Sequence, residues 1–250
     1  MKYYLISGAG SGIGRAIASK LADNGHAVIL CGRDGIKLKS TLESLSDASR
    51  HSTLELDIRS QESLKAALSK FPDIPLDGII ANAGVGGKNI FGDHDRWNDI
   101  ISTNLTGTYR FVNTFIPFLK KSTSEFKHVV ITSSILARLG VAGYSAYCAS
   151  KSGLLGLMRS WAVEWAPDKI LVNAICPGWV NTKMAHDGIQ GIADAAGITK
   201  DEAMTMAMKP VPLGKMTEPN EVADLVSYLL TQESITGQTL DINNGAIMNS

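Results

Sequence analysis

The sequence predicts an α/β protein: a doubly wound parallel sheet of about seven strands, with helices on both faces, in a single domain. Three observations predict it. Short apolar runs alternate with longer helical patterns from one end of the chain to the other. Most of those runs are continuously apolar, as strands are when both faces of a sheet are covered. Finally, 250 residues, 44% hydrophobic and 19% charged, suit one large packed core rather than disorder.

Strands are expected at Tyr3–Ser7, Ala27–Cys31, Thr53–Asp57, Gly78–Ala81, His128–Thr132, Leu171–Ile175 and Leu240–Ile242. Between the first two, Ile13, Ile17, Ala18 and Leu21 share one helical face; later, Leu154, Leu155, Met158, Trp161, Ala162 and Trp165 repeat at helical spacing until Pro167 closes the helix. Strand–helix alternation implies right-handed crossovers. The one stretch without clear periodicity, residues 184–212, lies between the sixth and seventh strands and is read as an insertion that forms a substrate lid. Its Met184, Met204, Met206 and Met208, with Trp179 just before it, suit either an adaptable apolar lid or gap-filling beneath a loop.

Composition excludes several classes of function. Lys plus Arg and Asp plus Glu both number 24, so no net charge draws the chain to nucleic acid or an anionic membrane. No apolar run approaches the roughly 18 residues of a spanning helix, and Tyr3–Ile6 is too short for a signal peptide. Cys31, Cys148 and Cys176 are odd in number, far apart and without metal-type spacing; they read as buried free thiols in a reducing compartment. His94, His128 and His186 show no ligand spacing either, so no metal is expected, and the location expected is the cytoplasm.

Two motifs carry chemistry. Ser7-Gly8-Ala9-Gly10-Ser11-Gly12-Ile13-Gly14 follows the first strand and opens the first helix. Glycines there permit a tight turn and let a pyrophosphate reach the helix N-terminus, where free N–H groups and the macrodipole favour negative charge, so a Rossmann-type dinucleotide site is expected. The second motif is Tyr147-Cys148-Ala149-Ser150-Lys151. On a helix the phenol and the ammonium fall on one face. A free tyrosine titrates near about 10, and a nearby cation lowers that toward the range of a working acid or base.

With Gly8-x-x-x-Gly12-x-Gly14 and Tyr147-x-x-x-Lys151 in place, the chain resembles the short-chain dehydrogenase/reductase family, with Ser7 where that family usually has threonine. The likeness recurs in order along the chain: Asn82-Ala83-Gly84 after the fourth strand, with Ala81 replacing an asparagine; Asn104 within Thr103-Asn104-Leu105-Thr106-Gly107; Ser134, thirteen residues before Tyr147; and Pro177-Gly178 followed by Val180 and Thr182. The resemblance implies hydride transfer between a nicotinamide and a carbonyl or secondary alcohol. Tyr147 would be the general acid or base, Lys151 would serve both the tyrosine and the nicotinamide ribose, Ser134 would hold the substrate oxygen, and Asn104 would position a water relay. Ser133 is the neighbouring alternative, directed by strand alternation to the opposite side. Asp57 and Ile58 would meet the adenine, although Asp57 as a helix N-cap is an equal reading. Pro177, Gly178, Val180 and Thr182 would hold the carboxamide. Leu136, Tyr144, Trp179 and Met184 would line the substrate space with Ser134 and Tyr147. Arg138 and Val141 belong to the same wall, where Arg138 is a candidate for an anionic substrate group.

Cofactor choice is read at the end of the second strand, Ile29-Leu30-Cys31-Gly32-Arg33-Asp34. Gly32 stands at the usual acidic position, and Arg33 suits a 2′-phosphate, so NADP(H) is favoured over NAD(H). A two-residue shift of register would instead bring Asp34 to the ribose. Arg15 is expected on a solvated helix face, and Lys120, Lys121 and Lys127 either guide an acidic acyl carrier or simply face water. The ending Asp241-Ile242-Asn243-Asn244-Gly245 resembles the family's Asp-Gly-Gly segment, which implies a homo-oligomer, a tetramer or a dimer; asparagine tolerates the left-handed backbone such a turn requires. The expectation is an NADPH-dependent carbonyl reductase, with 3-oxoacyl groups among the candidate substrates. Its alternatives are an NAD-dependent alcohol dehydrogenase or a dinucleotide sensor without turnover. A halohydrin dehalogenase is disfavoured by Lys151 and the intact glycine turn.

Overall fold

The computed structural model describes residues 1–248. Seven parallel strands lie in the order β3-β2-β1-β4-β5-β6-β7: β1 (Tyr3–Ser7), β2 (Ala27–Gly32), β3 (Ser52–Glu55), β4 (Gly78–Ala81), β5 (Lys127–Thr132), β6 (Ile170–Pro177) and β7 (Thr239–Ile242). The helices are α1 (Gly12–Asp23), α2 (Gly35–Ser44), α3 (Gln61–Lys70), α4 (Trp97–Ile101), α5 (Thr108–Lys120), α6 (Ser145–Glu164), α7 (Lys183–Ala196), α8 (Lys200–Met208) and α9 (Pro219–Leu229).

Alternate side chains of the central strands β1, β2, β4, β5 and β6 feed two cores. Tyr4, Ile6, Val28, Leu30, Ile80, Val130 and Ile175 face one side, under α1 and α9. Leu5, Ile29, Ile79, Val129, Ile131, Val172 and Ala174 face the other, under α3, α5 and α6. This is why the strands read as unbroken apolar runs. Strand order reverses between β1 and β4, so the carboxyl ends of β1, β4, β5 and β6 open onto a common crevice, where such sheets bind ligands.

Two expectations are corrected. The third strand ends at Glu55, not Asp57, because Leu56 N–H makes the last bond to the Gly32 carbonyl and Asp57 then turns the chain into α3. Residues 184–212 are not irregular. They form α7 and α8, closed by Gly197 (φ 66°) and a Thr199–Glu202 capping box, with a small core of their own from Ile189, Ala193 and Ala203. That core is so slight that the hydrophobic period was hard to read. Asn244 does take the left-handed backbone (φ 55°), and its amide donates to Lys215 O at 2.9 Å and Thr217 Oγ1 at 3.1 Å.

Candidate active site

The glycine turn is held from both sides. Ser7 Oγ, standing in for the family's threonine, accepts the backbone N–H groups of Asn82 (3.0 Å) and Ala83 (3.1 Å), tying the ends of β1 and β4. Gly8 has φ 70°, and a Cβ on Gly14 would lie 2.2 Å from the Gly8 carbonyl oxygen, so α1 packs where only glycine fits. Ser11 is the N-cap of α1 but makes no side-chain capping bond among the described residues, and the first turn carries no acidic residue. The helix thus presents unmet N–H groups and an uncompensated dipole to the crevice, an arrangement that fits a pyrophosphate. Thr182 stands opposite, its methyl 3.2 Å from the place of a Gly12 Cβ. Arg15 is exposed, as expected, yet it also braces the turn: it donates to Gly10 O at 2.8 Å and to Thr41 Oγ1 at 3.1 Å, while buried Thr41 donates to Ala9 O.

At the end of β2, the Asp34 carboxylate is committed as the N-cap of α2. It accepts the Lys37 N–H at 3.1 Å and pairs with the Lys37 ammonium at 2.8 Å. Arg33 is exposed and makes no ion pair among the described residues. Asp57 lies near it and is gripped by Arg59 through Nε and Nη2 at 2.7–3.1 Å, which holds its carboxyl below the usual range. Asp57 is not the cap of α3; Ser60 is, accepting the Ser63 N–H at 3.1 Å. Ile58 turns its side chain into the core, so only its backbone is left to meet a ligand.

On α6, Lys151 is 4% exposed; its Nζ donates to Thr132 O at 2.9 Å and sits 5.5 Å from the centre of the Tyr147 ring. Burial lowers Lys151 to about 8. Protein packed around the half-buried Tyr147 pushes its phenol up to about 12, while a hydrogen bond from Ser134 works in the opposite direction. Desolvation, rather than Lys151, therefore dominates the phenol, contrary to expectation. Ser133 points elsewhere, donating to Lys151 O at 2.9 Å, so Ser134 is the hydroxyl beside the phenol. Asn104 is fully buried in a π-helical segment, Ser102–Gly107. Its amide accepts from Val85 N (2.8 Å) and donates to Val85 O (3.0 Å) and Ser150 Oγ (3.2 Å), pinning the loop after Asn82-Ala83-Gly84 to the catalytic helix. Asn82 accepts from Thr132 Oγ1 at 3.2 Å.

A family model described as enoyl-(acyl carrier protein) reductase matches residues 8–246. A putative ketoacyl reductase of monensin polyketide synthesis from Streptomyces virginiae is 35% identical, covering 96% of this chain and 95% of its own. A 3-oxoacyl-[acyl-carrier-protein] reductase from Aquifex aeolicus is 31% identical over 98% and 96%. Among solved structures, an actinorhodin polyketide ketoreductase variant with NADPH superposes with TM-score 0.88 at 31% identity, over 98% of this chain and 97% of that one. The chain belongs to the short-chain dehydrogenase/reductase family. It is an oxidoreductase of that family, and the seven-stranded sheet is the family's.

Around this short-chain dehydrogenase/reductase centre the expected substrate residues divide. Leu136 follows Ser134 in a short turn, and Tyr144 is the N-cap of α6. Met184 reaches across from α7, its sulfur 3.2 Å from the place of a Gly86 Cβ, with Tyr147 Cε2 4.0 Å from the same point. Trp179, however, packs with the small α7–α8 core, alongside Ile192, Ile198, Met204 and Met216, and lies against Gly188. Arg138 is engaged by Asp241 and is not free for a substrate anion. A Cβ on Gly178 would lie 3.0 Å from Asn243 Cβ, so the chain packs closely there, with Pro177, Gly178 and Val180 at the β6 mouth. The lysine cluster is no patch: Lys120 pairs with Asp168, Lys121 with Asp73, and Lys127 is buried. No helix among the described residues is long and apolar enough to cross a membrane, and no three His, Cys, Asp or Glu side chains gather as a metal site would need.

Sequence reading missed Asn89 and Arg96. Asn89 Oδ1 accepts the Ala146 N–H at 2.9 Å, anchoring the start of the catalytic helix from a distant loop. Nothing local in the sequence signals either role.

Proposed function

We propose that the enzyme reduces a ketone with NADPH, with Tyr147 as proton donor. The observation that carries this is the convergence of Ser134, Tyr147 and Lys151 at the carboxyl end of β5 beside the glycine turn. A reduced nicotinamide, when bound, supplies the hydride. Tyr147 and Ser134 hold the carbonyl oxygen between two hydroxyls. As charge grows on that oxygen, Tyr147 gives it a proton, leaving the product a secondary alcohol. A phenol near about 12 is fully protonated at neutral pH, ready to act as the acid. Lys151, held in place by Thr132 O, stabilises the phenolate left behind, and the Asn104 region returns a proton from solvent.

Gly8, Ser11, Gly12, Ile13 and Gly14 bind the pyrophosphate; Asp57 and Ile58 meet the adenine; Asn82, Ala83, Gly84, Pro177, Gly178, Val180 and Thr182 surround the nicotinamide half. NADPH preference rests on an unpaired, exposed Arg33 beside Gly32 and on Asp34 being occupied as a cap. Relatives named as ketoacyl reductases support a 3-oxoacyl-type substrate. Helices α7 and α8, which make up most of residues 184–212, serve as the substrate lid, with Met184 at its inner edge. The free thiols suit the cytoplasm, and the exposed Tyr109 and Val163 on α5 and α6 suit a homo-oligomer. Tyr147→Phe tests the reading: carbonyl-dependent NADPH oxidation should fall at least a hundredfold while NADPH still binds. Unchanged turnover would end the proposal.

A further inference from the structure

Four charged side chains, none of them in the catalytic group, form a continuous chain along one wall of the crevice. Asp57 pairs with Arg59; Arg59 Nη1 reaches Asp99 Oδ1 at 3.3 Å; Asp99 Oδ2 takes Arg96 Nη2 at 3.1 Å; and Arg96 Nη1 donates to the Gly86 carbonyl at 2.9 Å. The last contact is closely fitted. At Gly87 (φ 108°) a Cβ would lie 2.5 Å from the same Arg96 nitrogen, so the guanidinium lies directly against the backbone of two successive glycines. Those glycines form the wall that Met184 and Tyr147 face, with Gly86 touching both within 3.2–4.0 Å of its missing side chain. Asn104 holds the preceding residue, Val85, and Asn89 bonds the following stretch to α6. Arg96 is thus the charged group that fastens the Gly86–Gly87 backbone between them.

We propose that Arg96 is a positioning residue for the carbonyl substrate: it sets the Gly86–Gly87 wall opposite Tyr147, with its own orientation fixed through Asp99 by the Asp57–Arg59 pair. This rests on the reductase reading above. The planar fork of arginine satisfies an acceptor on each of two sides, Gly86 O and Asp99, which a lysine cannot do in that geometry. The Asp99 pairings lie near the surface and contribute little to stability, so their consequence is orientation rather than folding. Loss of the loop contact leaves the hydride and proton donors in place and alters only how well the ketone is seated.

The test is Arg96→Ala, Arg96→Lys and Asp99→Asn in the full-length enzyme, using one active ketone substrate. Arg96→Ala should raise KM for the ketone about tenfold, the size of one lost charge-assisted hydrogen bond, with kcat and NADPH Kd within about twofold. Arg96→Lys should recover part of the loss, and Asp99→Asn should reproduce part of it. Hydrogen exchange at residues 85–89 should quicken in Arg96→Ala and nowhere else. Unchanged KM together with unchanged exchange at 85–89 overturns the proposal. So does a parallel fall of kcat, affinity for NADPH and melting temperature, which would mark general damage. If the wild type turns over no ketone with either dinucleotide, the reductase reading falls, and the exchange at 85–89 alone decides whether Arg96 sets the loop.

Discussion

Replacing Gly14 by alanine tests the cradle with one methyl group. The new Cβ would lie 2.2 Å from Gly8 O, 2.7 Å from Asn82 Nδ2 and 2.8 Å from Gly8 C. A carbon and an oxygen touch at roughly 3.2 Å, so the start of α1 must retreat by about 1 Å, against backbone that cannot swing aside. Overpacking of this kind costs about 1–3 kcal/mol, and the Gly8 backbone together with the Asn82 amide places Gly14 at the upper end. The retreat matters more for binding. Hydrogen bonds to phosphate work within a window of about 0.5 Å, so a 1 Å shift breaks one or two of them. Each is worth about 1.5–3 kcal/mol, and NADPH Kd should rise roughly ten- to a hundredfold or more. Gly191→Ala is the matched control. It sits inside α7 with nothing within 4 Å of its Cβ and should stabilise the protein by about 0.5–1 kcal/mol, through helix propensity alone. The assays are fluorescence titration of NADPH and urea unfolding of both variants. A Gly14→Ala protein that binds NADPH like the wild type would refute the close-approach argument.

Arg33→Ala should weaken NADPH binding about ten- to a hundredfold and leave NADH within about twofold; equal losses in parallel titrations would remove the 2′-phosphate assignment. His128 is buried beneath the sheet, and desolvation, aided by Lys2 and opposed by Asp77, lowers it to about 4. The unfolded ring titrates near 6.5 and takes up a proton first, so the contribution is complete above that pH and is lost as pH falls toward about 4, roughly 3 kcal/mol in all. Urea midpoints at pH 7, 5 and 4 should decline accordingly, and His128→Gln should flatten the decline. Lys151 is charged below about 8 and loses its proton above, so reductive kcat/KM should descend through that pH; a flat profile from 7 to 10 would speak against its role. Asp77 accepts Tyr3 N–H at 2.8 Å and the hydroxyls of Ser122 and Ser124, so Asp77→Ala should cost about 1–3 kcal/mol in thermal or urea unfolding by orphaning buried donors.

What was legible in the sequence followed from repetition and from glycine. Strands covered on both faces are apolar throughout, so β1, β2, β4, β5 and β6 announced themselves, and the turn at Gly8–Gly14 needed residues without side chains. Asp34 is ambiguous in the sequence, because the same carboxylate could face a ribose or cap a helix; the Lys37 contacts show the cap, which spacing alone does not reveal. The strength of burial around Tyr147 was invisible too, since a four-residue spacing reveals a neighbouring cation but not the packing that outweighs it. The α7–α8 pair hid because its core is three small or medium side chains, and Arg96 and Asn89 hid because their partners are backbone atoms, which leave no mark on composition.

The π-helical stretch Ser102–Gly107 also sets a phase. A helix turns about 100° per residue, and this wide turn absorbs one residue more than an ordinary one would. Within it, Asn104 must face Val85 and Ser150; after it, Phe111, Phe115 and Leu119 must face the core. The two requirements are compatible only with the extra residue in place. Deleting any one residue between 105 and 107 would rotate α5 relative to the asparagine, so that either the amide or the aromatic face would be turned away. The length of this short segment is therefore as restrictive as the identity of the asparagine within it.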